Sequence, residues 1–178
     1  MKKHNLSNPK SESFILKPLI NFGLFALVLI LSISCDSADE TDTEKPVIDL
    51  SMTDAFPTSC ATIYFDEPFN FKAYFSDNFA LGSYSIDIHN NFDHHSHSTE
   101  DDDCTLDDKK TATNPYVFID DYEIPENLSS YTAEFTMTIP SSDASGIFQE
   151  GDYHFYISLT DKEGWSTQKG LSIKILHK

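Results

Sequence analysis

The chain has 178 residues and no arginine, with 12 lysines set against 29 acids for a net charge of −17. Arginine is the usual reader of phosphates and base edges, and a surface this acidic repels a polyanion, which excludes nucleic acid as a partner. The length fits a single domain with its own core behind a short leader.

Lys2, Lys3, Lys10 and Lys17 precede an apolar run at residues 22–33. That run is shorter than the roughly 20 residues that a bilayer-spanning helix needs. With small residues at its end, 1–34 reads as a cleaved secretory signal. Ser34 directly before Cys35 resembles a bacterial lipobox, although Ser32 stands where leucine is usual. Cys35 is then the lipidated first residue of the mature protein. Residues 35–45 are small and acidic and read as a flexible tether, since they cannot bury enough apolar surface to offset the cost of ordering. An acidic stretch after a lipidated cysteine also resembles an export signal to the outer face of the outer membrane. The expected location is therefore an outer-membrane lipoprotein, with the cell surface favoured over the periplasm and the membrane reached through the lipid anchor.

Without residues 1–34 the chain holds 8 lysines and 28 acids, and 8 minus 28 gives −20. From residue 46 to 178 no stretch keeps a helical period, while apolar and polar residues alternate repeatedly. Strands are predicted at 47–52 and 61–64. Phe69, Phe71, Ala73 and Phe75 form the inward face of the next. Tyr84, Ile86 and Ile88 mark another, which ends at His89. A long polar loop precedes strands at 116–122 and 131–139. Tyr153, Phe155, Ile157 and Leu159 form the sixth main strand, and Leu171, Ile173 and Ile175 the last. About seven strands in a domain of this size predict an all-β, immunoglobulin-like (fibronectin-type-III-like) sandwich. Tyr153 takes the place of a corner tyrosine, and Phe71 and Phe155 stand where antibody domains carry a disulfide.

His89, His94, His95 and His97 fall within nine residues, before Glu100, Asp101, Asp102 and Asp103. Neutral imidazole is the commonest metal-ligand side chain, and His-x-His spacing lets two rings reach one ion from an extended segment. In the predicted fold, the strand ending at His89 and the strand beginning at His154 are antiparallel neighbours, so the loop and both strand ends share one pole. His89, His95 and His97 are the leading candidate ligands, with Asp93, His94 and His154 as alternates. Asp87 and Asp93 are placed to orient the rings. Nitrogen donors with few thiolates suit zinc, copper or nickel better than calcium or magnesium. Asp101 to Asp103, Asp107 and Asp108 lack the spacing of a calcium loop. His177 reads as a frayed terminal residue.

Cys60 and Cys104 are an even pair in an exported chain, which favours a disulfide; the competing reading makes Cys104 a thiolate ligand. Catalytic motifs are missing: there is no nucleophile elbow, no zincin helix motif and no phosphate loop. Asp120 and Asp121 face opposite sides of their strand and cannot work as a pair. The expected role is therefore binding rather than catalysis. One expectation is a zinc- or copper-binding lipoprotein, an accessory to an outer-membrane receptor or surface complex. The alternative is a surface adhesion module that binds a glycan or protein without metal, through aromatics such as Tyr74, Tyr156 and Trp165.

The stretch from Asp77 to His97 resembles a Bacteroidetes lipoprotein family catalogued as domain of unknown function 4625. The shared positions are Asp77, Asn78, Leu81, Ile88, His89, Asn91, Phe92, Asp93, His95 and His97. The similarity extends over the mature domain. It implies an exported, lipid-anchored β-sandwich of unassigned activity, singles out His89, His95 and His97, and leaves His94 in a variable slot.

Overall fold

A computed structural model describes residues 41–97 and 104–178. The predicted signal segment, Cys35, residues 35–40 of the tether and the acids Glu100, Asp101, Asp102 and Asp103 lie outside the described residues.

The described part is all-β. Its strands are β1 (Val47–Asp49), β2 (Thr62–Tyr64), β3 (Pro68–Ser76), β4 (Leu81–Asn90) and β5 (Phe118–Glu123). They continue as β6 (Ser130–Thr138), β7 (Ser142–Asp143), β8 (Gly146–Ile147), β9 (Gly151–Asp161) and β10 (Ser166–Leu176). One sheet has the order β1-β3-β6 and the other β2-β10-β9-β4-β5, while β7 and β8 make a small hairpin.

Alternation decides which face of each strand enters the core. On β3, Phe71, Ala73 and Phe75 are fully buried, while Lys72 points outward to Asp54 (2.7 Å) and Glu134 (3.0 Å). On the facing sheet Ile86, Ile88, Phe155, Ile157 and Leu159 are fully buried. The Phe71 and Phe155 rings stack across the sandwich at 5.9 Å, at the place expected from the alternation. The Tyr153 hydroxyl donates to the Gln149 carbonyl (2.5 Å) and accepts the Tyr116 N–H (3.1 Å). Such a bond to backbone a few residues upstream is the corner-tyrosine arrangement expected at that position. Burial pushes the Tyr153 phenol up to about 12, so it keeps its proton and remains a donor.

The structure departs from the predicted strands in three places. The first predicted strand is short: β1 pairs with β3, and after the intervening loop β2 pairs in parallel with β10 of the other sheet. The strand predicted at 116–122 begins at Phe118, because the Tyr116 N–H bonds to Tyr153 rather than to a neighbouring strand. It pairs with β4, at the edge of the five-stranded sheet. The β7–β8 hairpin was not foreseen, since its four residues carry no alternation.

Two consequences of this topology position the sites. Strands β4 and β9 are antiparallel with His89 directly opposite His154, so both histidines lie at the pole where β4 ends. Strand β1 runs antiparallel to β3, with Val47 opposite Ser76. The chain thus enters β1 at the other pole, where β4 begins. His177 is not frayed: its ring stacks on Phe65 at 4.5 Å and its Nε2 lies 2.8 Å from the Phe148 carbonyl.

Candidate metal centre

His89 and His154 stand side by side on the outer face of the five-stranded sheet, because each alternates with an inward residue, Ile88 and Phe155. Outward residues would normally be solvated. Here the loop after β4 folds back over them. Asn91 N–H bonds to the Asp152 carbonyl (2.8 Å), and Phe92 buries its ring against Tyr153, edge to face at 5.3 Å. His94 takes a left-handed conformation (φ 59°) and its N–H bonds back to the Asn91 carbonyl (3.2 Å). Histidine is among the residues that tolerate that region. The reversal returns the chain across the sheet and brings His95 and His97 over the strand pair. His154 is completely buried as a result.

The structure brings together His89, His95, His97 and His154. One ring nitrogen of each lies within 4.8 Å of those of the other three. Ring centroids of His154 lie 4.7 Å from His97, 4.8 Å from His95 and 5.3 Å from His89. A tetrahedral ion with bonds of about 2.0–2.1 Å holds its donors about 3.4 Å apart. The nitrogens therefore need to close by no more than about 1.5 Å to share one ion.

Their surroundings fix which nitrogens are available. His89 Nδ1 is 2.6 Å from Asp87 Oδ1, and His95 Nδ1 is 2.6 Å from Asp93 Oδ1. A carboxylate on Nδ1 holds the proton there and leaves the Nε2 lone pair free for a metal, as orienting partners of ligand histidines do. The His95 partner also keeps the Asp93 carboxyl below its ordinary value. His154 Nε2 lies 3.3 Å from the His95 carbonyl, an acceptor only, so Nε2 carries the proton and Nδ1 the lone pair. His97 Nε2 is buried with no hydrogen-bond partner among the described residues. A buried imidazole nitrogen without a partner is costly, and a metal ion satisfies it.

Electrostatics point the same way. Burial, then the neighbouring His95, His97 and His89 rings, push the His154 pKa down to about 4. His154 therefore stays neutral, the state that ligates, across the physiological range. Tyr156 walls one side, stacked on His89 at 5.8 Å and edge-on to His97 at 4.8 Å. Tyr156, a candidate contact for a glycan or protein only under the alternative reading, packs against the rings.

Of the alternates, Asp93 sits on the far nitrogen of His95 rather than among the ligand atoms, and His94 occupies the turn outside the group. Cys104 is not among the grouped ligands. Its sulfur lies at disulfide distance from that of Cys60, with S–S 2.00 Å and Cα–Cα 5.4 Å. A second group escaped the sequence reading. Asp42, Asp161 and Glu163 place carboxylate oxygens within 4.8 Å of one another at the opposite pole. Asp42 falls on the stretch read as tether, yet it is 4% exposed.

The histidines, their Asp partners and the Phe92 anchor all lie within one contiguous sequence match. Residues 33–176 match the family described as domain of unknown function (DUF4625). The chain belongs to that family. The match places the DUF4625 domain over the whole sandwich, and the family description assigns it no activity. No curated protein matches the chain. Among solved structures, the sporulation control protein Spo0M from Bacillus subtilis is similar at 7% identity and a TM-score of 0.33. That likeness covers 74% of this chain and 48% of Spo0M, so the chain spans about half the length of that protein. A similarity this low carries no argument about fold or function.

Proposed function

We propose that this DUF4625 domain binds one zinc or copper ion through His89, His95, His97 and His154. The observation that carries the reading is the convergence of four imidazoles, from two strands and one loop, with two rings already oriented by carboxylates. Four protein donors complete a tetrahedral site and leave no open position for a substrate. The reading is therefore of a protein that holds or hands over a metal, not of an enzyme. All-nitrogen coordination favours zinc or copper over the hard cations.

The setting belongs to the same proposal. Cys35 is lipidated, and the domain is displayed on the outer membrane, facing the exterior, beside an uptake receptor or surface complex. The chain enters β1 at the pole opposite the histidines, so the metal site lies at the far end of the sandwich from the start of β1.

Calorimetric titration of the full chain with zinc and with copper at neutral pH tests the binding. The expected result is one saturable equivalent of micromolar or tighter affinity, absent from a His89→Ala/His95→Ala/His97→Ala variant. Equal binding by that variant, or heat indistinguishable from dilution, rejects the site.

A further inference from the structure

At the pole where the chain enters β1, three segments meet: residues 41–46, the turn between β3 and β4, and the turn from β9 into β10. Asp161 ends β9 and is 4% exposed. Its Oδ1 accepts the N–H groups of Gly164 (2.6 Å) and Trp165 (2.8 Å). Gly164 adopts φ +96°, a conformation that favours glycine and completes this tight turn. Asp42, equally buried, uses its Oδ1 to accept the Glu44 N–H (3.0 Å) and the Asn78 side-chain amide (2.9 Å). The Asp42 carbonyl accepts the Trp165 indole N–H (3.1 Å).

Each of these aspartates is therefore held by one oxygen while the other is left over. Oδ2 of Asp42 and Oδ2 of Asp161 are both buried without a hydrogen-bond partner among the described residues. With Glu163 they bring carboxylate oxygens within 4.8 Å of one another. Among the described residues no lysine pairs with any of the three; the lysine ion pairs lie elsewhere. Two buried carboxylates that face each other without a counter-charge repel strongly and leave acceptors unsatisfied. A cation between them relieves both costs.

We propose that Asp42, Asp161 and Glu163 form a calcium site that clamps residues 41–46 onto the β9–β10 turn. Donors that are all oxygen, and mostly charged, select a hard cation. Calcium accepts irregular sets of six to eight oxygens, so backbone carbonyls and water complete the shell. Magnesium demands near-ideal octahedral geometry and gives up its water reluctantly, which suits this cluster less well. The site shares no residue with the histidine cluster and stands independently of the transition-metal reading. Its consequence is mechanical: the stretch that joins the N-terminal 40 residues to the sandwich is fixed when calcium is present and released when it is withdrawn.

Trp165 is the only tryptophan in the chain and contacts both aspartates, so it serves as a built-in antenna for a luminescent calcium substitute. Terbium is titrated into the full chain, stripped of metal with EDTA, and its emission is read through tryptophan excitation. The expected result is a one-site rise that calcium suppresses with an affinity of about 10⁻⁴ to 10⁻³ M, as in extracellular calcium modules. Asp161→Asn and Glu163→Gln each weaken it at least tenfold, and His97→Ala leaves it unchanged. Asparagine at 161 keeps an oxygen for the Gly164 and Trp165 N–H groups, and Glu163 is exposed, so neither variant threatens the fold. In EDTA, Asp161→Asn unfolds at the same temperature as the parent or higher, because a buried repulsion is removed. Absence of saturable emission, or emission unaffected by both variants, overturns the proposal.

Discussion

The metal-free domain loses stability as the pH falls from 6.5 towards 4, and zinc opposes the onset of that loss. The cause is His154. An unfolded histidine titrates near 6.5, whereas burial and the His95, His97 and His89 rings hold the folded one at about 4. Between those values the unfolded chain binds a proton that the folded chain refuses, so stability increases with pH across the window. Above 6.5 both states are neutral and the term vanishes; below 4 both are charged and the penalty is at its full size. That depression corresponds to a full penalty of about 3 kcal/mol. A zinc ion bound only to neutral imidazoles stabilises the folded state by mass action, by about 2.7 kcal/mol when free zinc is a hundredfold above Kd. It is released as the ligands protonate. Urea unfolding at pH 7 and pH 5, with and without zinc, reads all of this. A His154→Phe variant flattens the metal-free slope in the window and removes the zinc effect. An unchanged slope in that variant assigns the acid sensitivity elsewhere.

The larger effect comes from Cys60 and Cys104. Their link closes a sequence separation of 44 residues that contains β3, β4 and the whole histidine loop. In the chain-entropy description, a loop of that length constrains the unfolded state by about 4 kcal/mol. The expected result is that a Cys60→Ala/Cys104→Ala variant loses about that much in chemical denaturation. Cys60 is held on β10 by its N–H bond to the Ser172 carbonyl (2.7 Å), so the link pins the far end of the loop to the sheet that carries His154. Zinc affinity should fall in the variant at a pH where all four imidazoles are neutral, since binding must then pay for ordering the loop. Unchanged affinity with reduced stability separates the two roles and shows that the Phe92 anchor alone positions the loop.

Much of this molecule was legible in the alternation of its residues. Phe71, Ile88 and Phe155 face inward where a period of two puts them, and the immunoglobulin-like topology that about seven such strands imply makes β4 and β9 neighbours. His89 and His154 were thereby assigned to one pole. Sequence spacing could not choose His154 as a full member of the group over His94. That choice depends on the left-handed turn at His94 and on the loop closing over β9, both set by distant contacts to Asp152 and Tyr153. Asp42, Asp161 and Glu163 were invisible for a similar reason. Asp42 and Asp161 are more than a hundred residues apart, and the acidic composition around Asp42 resembles a solvated tether. Only the Trp165 and Asn78 contacts draw it into the fold. For His177, a terminal position says nothing of the Phe65 ring beneath it.

A metal held by four imidazoles has a distinctive signature in the X-ray absorption spectrum of the zinc-loaded full chain. The expected result is a four-coordinate shell of nitrogen at about 2.0 Å, with the outer-shell pattern of imidazole rings and no sulfur. A six-coordinate shell of oxygen, a shell containing sulfur, or a spectrum unchanged when His97 and His154 are replaced contradicts it.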